Sequence, residues 1–139
     1  MDLLKAIWSK FTGSALASAV GGRIYLDRAP DKAVMPYVVY FIVSASPDKT
    51  FTEHYTNTLV QFSLFSASSS TVEITAMYGY LTALFDECSM TIPPTGIATE
   101  TLVWMREDNL TTMIEDVPVG GTQHVKHWAV DFEILTSRK

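Results

Sequence analysis

The sequence has little of four things that often reveal a function: cysteine, histidine, basic charge and long apolar runs. Its single cysteine, Cys88, excludes a disulfide within the chain and fits a reducing compartment. A net charge of −5 argues against non-specific binding to nucleic acid, which needs a positive surface. No stretch approaches the roughly 18 uncharged apolar residues that a membrane span needs. We also expect no signal peptide, because the first residues lack a basic start and a long apolar run.

What the chain does have is an apolar fraction of 47%, spread along all 139 residues. That length is enough to bury one core, and neither a linker nor an internal repeat divides the sequence. We therefore expect a single domain over residues 1–139. Charged residues make up only 18% of the chain, below the ~25% typical of soluble domains. This shortage hints at a surface that is partly covered by another subunit.

The clearest pattern is a strand followed directly by a helix, between residues 57 and 87. Apolar side chains alternate from Thr58 to Leu64, which is the period of a strand lying on a core. From Thr71 the period becomes helical, and Ser70 or Thr71 is placed to accept a hydrogen bond from the first N–H groups. The apolar stripe of this helix is Ile74, Met77, Tyr78, Leu81, Leu84 and Phe85. We expect the helix to fold back over the sheet.

The other segments predict a first helix, a second short helical turn and four more strands. The first helix has an apolar stripe, formed by Leu3, Leu4, Ile7, Trp8 and Phe11. The strands are predicted over residues 23–26, 37–45, 98–107 and 123–136. Two long polar connections are predicted, over residues 46–56 and 108–121. The order predicts an α+β fold: a mostly antiparallel sheet of four to five strands, with two main helices packed on one face.

Residues that could bind a metal or perform acid–base catalysis are present, but their spacing is unfavourable. His124 and His127 are three apart, which places them on opposite faces of a strand, and His54 is distant in sequence. We therefore expect no metal site. His127, Asp131 and Glu133 share one face of the last strand and are the best candidates for an acid–base site. Alternating charge on a solvated strand face is, however, much commoner than catalysis.

Neither Cys88 nor the two glycine pairs predicts a site. Cys88 follows two carboxylates at a helix end, an environment that raises the pKa of a thiol. Gly21-Gly22 and Gly120-Gly121 lack the further glycines of a phosphate-binding loop. Four large aromatic residues fall on apolar stripes and are expected in the core: Trp8, Phe62, Trp104 and Trp128. We therefore predict that the protein is not an enzyme, that it needs no cofactor, and that its role is structural or in binding.

Three short motifs resemble those of a known family. They are Val20-Gly21-Gly22-Arg23-Ile24-Tyr25, Arg28-Ala29-Pro30 and Met35-Pro36-Tyr37-Val38-Val39-Tyr40. These motifs are similar to the Gly-Gly-Arg step, the Ala-Pro loop and the Pro-Tyr strand start of tail-completion, or tail-terminator, proteins of long-tailed bacteriophages and gene-transfer particles. The middle strand, its helix and the last strand also match, so the resemblance spans nearly the whole chain. The chain departs from the family pattern in its longer segments 46–56 and 108–121.

The motifs also have a physical interpretation as architecture. Gly21 and Gly22 allow a sharp turn from helix to strand, because glycine tolerates the left-handed conformation. Pro36 restricts Met35 to extended geometry and leads Tyr37 onto the sheet. No catalysis is implied by these residues.

The resemblance implies a virion structural protein that caps the tail tube, ends its polymerisation and forms the head–tail joining interface. It implies a homo-oligomeric ring, usually a hexamer, whose partners are the tail tube protein and a head-side connector protein. DNA would pass through the ring without specific binding. The protein would be found in the virion, at the head-proximal end of the tail, and in the host cytoplasm during assembly. For the subunit or partner interface we predict two regions, namely Phe51, Glu53, His54 and Tyr55, and Asn109, Leu110, Met113, Glu115 and Asp116.

Two alternatives remain open. The first is a head-completion or neck protein at the same junction, which would copurify with the portal instead of the tail tube. The second is a small α+β enzyme or ligand-binding domain that uses His127, Asp131 and Glu133 in a cleft. That alternative predicts a stable monomer or dimer with a pocket over this strand face.

Overall fold

Eight elements follow one another in the predicted order in the computed structural model, which describes residues 2–49, 51–68, 70–94, 99–117 and 123–138. The helices are α1 (Asp2–Phe11), α2 (Ala15–Ala19) and α3 (Val72–Phe85). The strands are β1 (Ile24–Leu26), β2 (Tyr37–Lys49), β3 (His54–Ser66), β4 (Glu100–Val117) and β5 (Gln123–Arg138). The predicted α+β class is confirmed.

The five strands form one mixed sheet in the order β1-β2-β3-β5-β4. β1 pairs with β2 in parallel, and the other neighbouring strands pair antiparallel. β1 and β4 are therefore the two edges of the sheet. Single-residue irregularities interrupt the pairing at Val43 in β2 and at Val103 and Asp108 in β4.

The core lies between one face of the sheet and the helices. The alternating residues of β3 from Thr58 to Leu64 are all at most 1% exposed, as their spacing predicts. Phe62 lies at the centre, with ring centroids 5.8 Å from Phe11, 5.0 Å from Phe85 and 5.3 Å from Phe132. Four α3 residues complete this layer, namely Ile74, Met77, Leu81 and Phe85. The helix therefore folds back over the sheet as its apolar stripe predicts.

The Gly-Gly-Arg step forms the turn between α2 and β1. Gly21 and Gly22 have φ values of 61° and 75°, in the left-handed region where glycine has no steric cost. The Arg23 side chain then crosses to the next motif, and its Nε donates a hydrogen bond to the Pro36 carbonyl at 3.0 Å. The Met35–Pro36 peptide is cis. The two motifs thus hold each other in place, which agrees with their architectural interpretation.

The two predicted polar connections are wrong. β2 and β3 pair as far as Lys49 and His54, so only residues 50–53 join them. β4 continues through Val117 and pairs with β5 as far as Gln123, whereas residues 108–117 were expected in a loop. These segments are polar because they lie in exposed parts of two hairpins, and pairing with a distant strand holds them extended. Gly120 and Gly121 lie outside the described residues.

The expectation that all three tryptophans lie in the core is wrong. Trp8 is 48% exposed, because α1 turns Leu3, Ile7 and Phe11 towards the sheet and leaves Trp8 at its margin. Trp104 is half-buried, whereas Trp128, also half-buried, packs against the core as predicted. Phe62 alone among the four predicted aromatic residues is fully enclosed.

Candidate functional site

The first predicted contact region forms the tip of the β2–β3 hairpin. Phe51 is fully exposed, and the Tyr55 hydroxyl donates a hydrogen bond to Glu53 Oε2. His54 is also exposed and pairs with Lys49 on one side and Arg138 on the other. A recess of about 380 Å³ opens beside these residues. We call this region the β2–β3 tip.

The second predicted region lies on the outer half of β4, which we call the β4 arm (Asn109–Val117). β3 ends at Ser66 opposite Lys126, and Lys126 in turn pairs with Ile114. The last residues of β4 therefore pair with β5 alone and extend beyond β3. Met113 is 37% and Ile114 69% exposed. Glu115 and Asp116 belong to the strand, but their side chains lie outside the described residues.

The structure does not bring the two predicted regions together. The β2–β3 tip lies where β3 begins, and the far end of the β4 arm lies beyond the end of β3. His54 at the tip pairs with Arg138, and Val117 at the far end of the arm pairs with Gln123, so fifteen residue steps along β5 separate the two regions, or about 50 Å at ~3.3 Å per residue. Asn109 and Leu110 lie between the two ends, because they pair with Asp131 and Val130 near the middle of the sheet. The molecule thus presents two separate surfaces.

The turn after α3 fixes the inner half of β4. Asp86 Oδ1 accepts a hydrogen bond from the Glu107 N–H at 3.0 Å, and the Glu87 N–H donates to the Met105 carbonyl at 2.8 Å. The Tyr78 hydroxyl donates to Glu107 Oε1. Burial, together with this bond and the nearby negative charge, raises the pKa of Tyr78 to about 12. The hydroxyl therefore remains a donor at any physiological pH.

The candidate acid–base residues lie on the sheet face away from the helices. The His127 ring stacks on Phe65 with centroids 4.2 Å apart. Glu133 accepts a hydrogen bond from Asn57 Nδ2 at 2.8 Å and lies 3.5 Å from Arg106.

Asp131 lies between these two residues along β5, and its Oδ1 is buried without a hydrogen-bond partner among the described residues. Burial, and then the charge of Asp108, raises the pKa of Asp131. His127 and Glu133 thus make cross-strand contacts instead of converging on one point. No group of three or more His, Cys, Asp or Glu side chains suited to a metal occurs in the described part of the chain.

Cys88 is partly buried, as predicted. Burial is the main cause that raises the pKa of its thiol. Its Sγ lies 3.8 Å from the Met105 sulfur, beneath the turn that fixes β4. The charge of Lys10 and a backbone hydrogen bond lower this pKa but do not outweigh burial, so the thiol is not activated as a nucleophile.

An apolar groove along the β1 edge was missed by the sequence reasoning. Trp8 lines two recesses, of about 550 and 240 Å³. Leu26 lines the larger one, and Gly22 and Ile24 line the smaller one. We call this surface the Trp8 groove. The only available signal was that Trp8 lies next to Ser9 and Lys10, at the polar margin of its helical stripe.

The family relationship is shown by comparison with known proteins. A sequence model of the family described as "Tail completion protein gp17" matches residues 5–137. The chain belongs to this family. The resemblance seen in the motifs is therefore confirmed, and the chain is a structural protein of a virion tail. A search of curated proteins gives no match.

The fold of this tail-completion family member also occurs in a solved particle. A chain of the "virion of native gene transfer agent (GTA) particle" matches with a TM-score of 0.77, covering 97% of this chain and 94% of that chain. The two sequences are only 13% identical, so this likeness establishes the shared fold. A second solved chain, 11% identical with 94% of each chain covered, has a TM-score of only 0.47. Among the described residues, no helix is long and apolar enough to cross a membrane.

Proposed function

We propose that this tail-completion protein forms a ring, a hexamer, that caps the tail tube and joins it to the head. The observation that carries the proposal is the family match over residues 5–137. The likeness to a chain of a gene-transfer particle is consistent with a place in such a structure. In a closed ring each copy uses one surface to bind a different surface on the next copy.

The mechanism is geometric. The β2–β3 tip and the far end of the β4 arm lie about 50 Å apart along the strands, so they suit two different neighbours. One would contact the last ring of tail tube protein and the other the head-side connector protein. Because the cap offers a tube-binding surface on one side only, no further tube subunit can add to it.

The proposed role requires neither catalysis nor a cofactor. DNA would pass through the ring, and a net charge of −5 would repel its phosphates and discourage binding. We place the protein at the head-proximal end of the tail, after assembly in the host cytoplasm. The contact residues proposed at the two ends are Phe51, Glu53, His54 and Tyr55, and Met113, Glu115 and Asp116.

Tube growth in the presence of the protein tests this proposal. Tail tube protein polymerising in vitro should stop elongating when the wild-type chain is added, and the tubes should be shorter in electron micrographs. Phe51→Asp adds a charge to one contact region and Asp116→Lys reverses a charge in the other, so one of them should abolish this effect. Val72→Asp is the matched control, because Val72 is 74% exposed at the start of α3, outside both regions. Unchanged tube lengths with wild-type protein, together with binding to the connector, would instead favour a neck protein.

The ring is tested by the native mass across a range of protein concentrations. We expect a discrete closed assembly of six copies of the 15.4 kDa chain. A chain that stays monomeric at every concentration, and also after purified tail tubes are added, would contradict the ring.

A further inference from the structure

The outer edge of β4 has one regular stretch that is paired on one side only. The turn after α3 already binds the Met105 carbonyl and the Glu107 N–H. Asp108 is unpaired at an irregularity, and regular pairing with β5 begins again at Asn109. Along the β4 arm, the sheet pairing that the structure describes is with β5 alone. Unpaired N–H and C=O groups on a long edge strand are a template for pairing with another chain.

The opposite edge of the sheet, formed by β1, offers a short strand and a concave surface that could accept the β4 arm. β1 is only three residues long, and beside it lies the Trp8 groove, open to solvent. Trp8 is 48% and Leu26 42% exposed. Exposed tryptophan in a concave apolar surface is typical of the residues that dominate binding energy between proteins.

The register places these two edges at the same height. Leu26 pairs with Tyr40, Tyr40 with Phe62, Phe62 with Val130, and Val130 with Leu110. Leu110 is thus level with Leu26, at the other end of the same row across the sheet. β1 and β4 also run in opposite directions, so β4 of one copy would meet β1 of the next as an antiparallel pair.

The same register assigns the side chains to faces. Directly paired residues share a face of the sheet, and alternate residues along a strand do so too. Leu110 packs partly against the core, so Leu110 and Ile114 lie on the helix side. Trp8 of α1 lies on that side as well. Ile114, 69% exposed, is four residues beyond Leu110, which brings it level with Gly22 and the smaller recess.

The charges of the two edges are complementary. Residues 1–36, which include α1 and β1, hold five of the ten basic residues and three of the fifteen acidic ones. Residues 99–117, which include β4, hold five acidic residues and one basic residue. Opposite potentials on two surfaces favour their encounter and disfavour contact between two like surfaces. This pattern fits a heterologous contact, in which β4 meets a different surface on the next copy.

We propose that neighbouring copies in the ring join through these two edges: the β4 arm of one copy pairs with β1 of the next, and Ile114 enters the Trp8 groove. The proposal rests on the ring put forward above and identifies its self-contact. Leu110 of one copy would lie opposite Leu26 of the next. In a closed ring the same contact would form between every two neighbouring copies. It would pair the backbone N–H and C=O groups on the outer edge of the β4 arm.

Disulfide trapping tests this contact directly. Leu26→Cys and Leu110→Cys are introduced together, with Cys88→Ser as background. Within one chain these positions are four strand spacings apart, about 19 Å, far beyond the ~7 Å that a disulfide can span between Cα atoms. Any disulfide must therefore join two copies. We expect a ladder of cross-linked species on oxidation at high protein concentration.

The matched control replaces Leu110→Cys with Val103→Cys. Val103 lies on the same edge strand and is 47% exposed, but it lies level with Leu135, five residue steps along β5 from the partner of Leu110, or about 17 Å away. It should give no ladder. A ladder from the control as strong as that from Leu110→Cys would overturn the proposed register.

A mixing experiment distinguishes a heterologous contact from a symmetric one. Ile114→Glu removes the β4 side of the contact and Trp8→Glu the groove side, so each variant alone should be monomeric at concentrations where the wild type assembles. Mixed together, they retain one intact contact and should form a 1:1 dimer. Trp8→Ala serves in place of Trp8→Glu if circular dichroism shows that the glutamate disturbs the fold, and Val103→Glu should assemble like the wild type.

The outcomes separate this contact from the proposed function. A wild-type ring of normal mass without a Leu26–Leu110 cross-link, or with Ile114→Glu still assembled, overturns the contact and leaves the ring standing. A wild type that neither assembles nor cross-links, even on tail tubes, overturns both.

Discussion

At the scale of single residues, the aromatic cluster around Phe62 holds the two layers together. The Phe62 ring contacts residues from α1, α3 and β5, so Phe62 joins segments that are far apart in sequence. Edge-to-face and offset-stacked rings contribute about 0.5–1.5 kcal/mol per pair beyond the area they bury. The alternation along β3 and the stripe of α3 are enough to predict this cluster.

Phe62→Ala should lower the free energy of unfolding by about 3–5 kcal/mol, because it leaves a cavity that the surrounding rings cannot fill. Urea denaturation measures this loss. Phe51→Ala is the control and should be nearly neutral, since Phe51 is fully exposed. A loss below about 1 kcal/mol for Phe62→Ala would contradict the central place of this ring.

The Gly-Gly step makes a second prediction. Gly21→Ala and Gly22→Ala should each cost about 1–2 kcal/mol, because both have positive φ. Gly21→Ala should cost slightly more, since its Cβ would lie 2.8 Å from Arg23 Nη1 and the flexible guanidinium would have to shift, whereas nothing lies within 4 Å at Gly22. Denaturation of both variants with and without Arg23→Ala checks this. Equal losses in the wild-type background would refute the steric part of the argument.

The raised pKa of Asp131 predicts that the free energy of unfolding depends on pH. Its pKa is raised from the ordinary value of 3.8, first by burial and then by Asp108. Because the folded protein holds the proton of this carboxyl more tightly than the unfolded chain does, Asp131 stabilises the fold when the carboxyl is protonated, at pH values below the unfolded pKa. That stabilisation is lost as the pH rises through the pKa of the folded state. At pH 7, Asp131→Asn should therefore increase the free energy of unfolding by on the order of 0.5 kcal/mol.

The advantage of Asp131→Asn should shrink towards pH 3, where the wild-type carboxyl is itself neutral. Urea denaturation of both proteins at the two pH values measures this difference. Asp48→Asn on the exposed hairpin is the control and should change little. A gain that is the same at both pH values would contradict the assigned cause.

At the scale of elements, the sequence predicted those parts of the fold whose pattern reflects the core. The strand at residues 57–66 and the helix that follows it have one apolar face each, and both were located correctly. In residues 108–117, Leu110 packs partly against the core but Met113 and Ile114 are exposed, so no continuous apolar face marks the segment as a strand. What makes this segment a strand is pairing with β5, a non-local contact that no local pattern encodes. For the same reason the two predicted contact regions could not be placed relative to each other.

The anchoring of β4 to α3 gives a prediction at this scale. Tyr78→Phe removes the hydrogen bond to Glu107 and should lower the free energy of unfolding by about 1 kcal/mol. Tyr80→Phe is the matched control, because Tyr80 lies on the same helix and is 43% exposed. Equal effects of the two changes, measured by thermal unfolding, would show that the bond does not stabilise the contact.

At the scale of the whole molecule, the protein is an extended sheet with two different ends and two different edges. In the proposed ring, the ends would contact the partners above and below, and the edges would contact the neighbouring copies. Family membership shows a structural protein of the virion tail, and the arrangement of the surfaces supports the proposal of a ring-shaped cap. The sequence predicted this role through short motifs that build the α2–β1 turn, not through residues at the contact surfaces.

The most direct test of the cap is the position of the protein on isolated tails, located by electron microscopy with a label on the chain. We expect one ring of six copies at the end of the tube that joins the head. Label along the length of the tube, at its distal end, or absent from tails that join heads normally would contradict it.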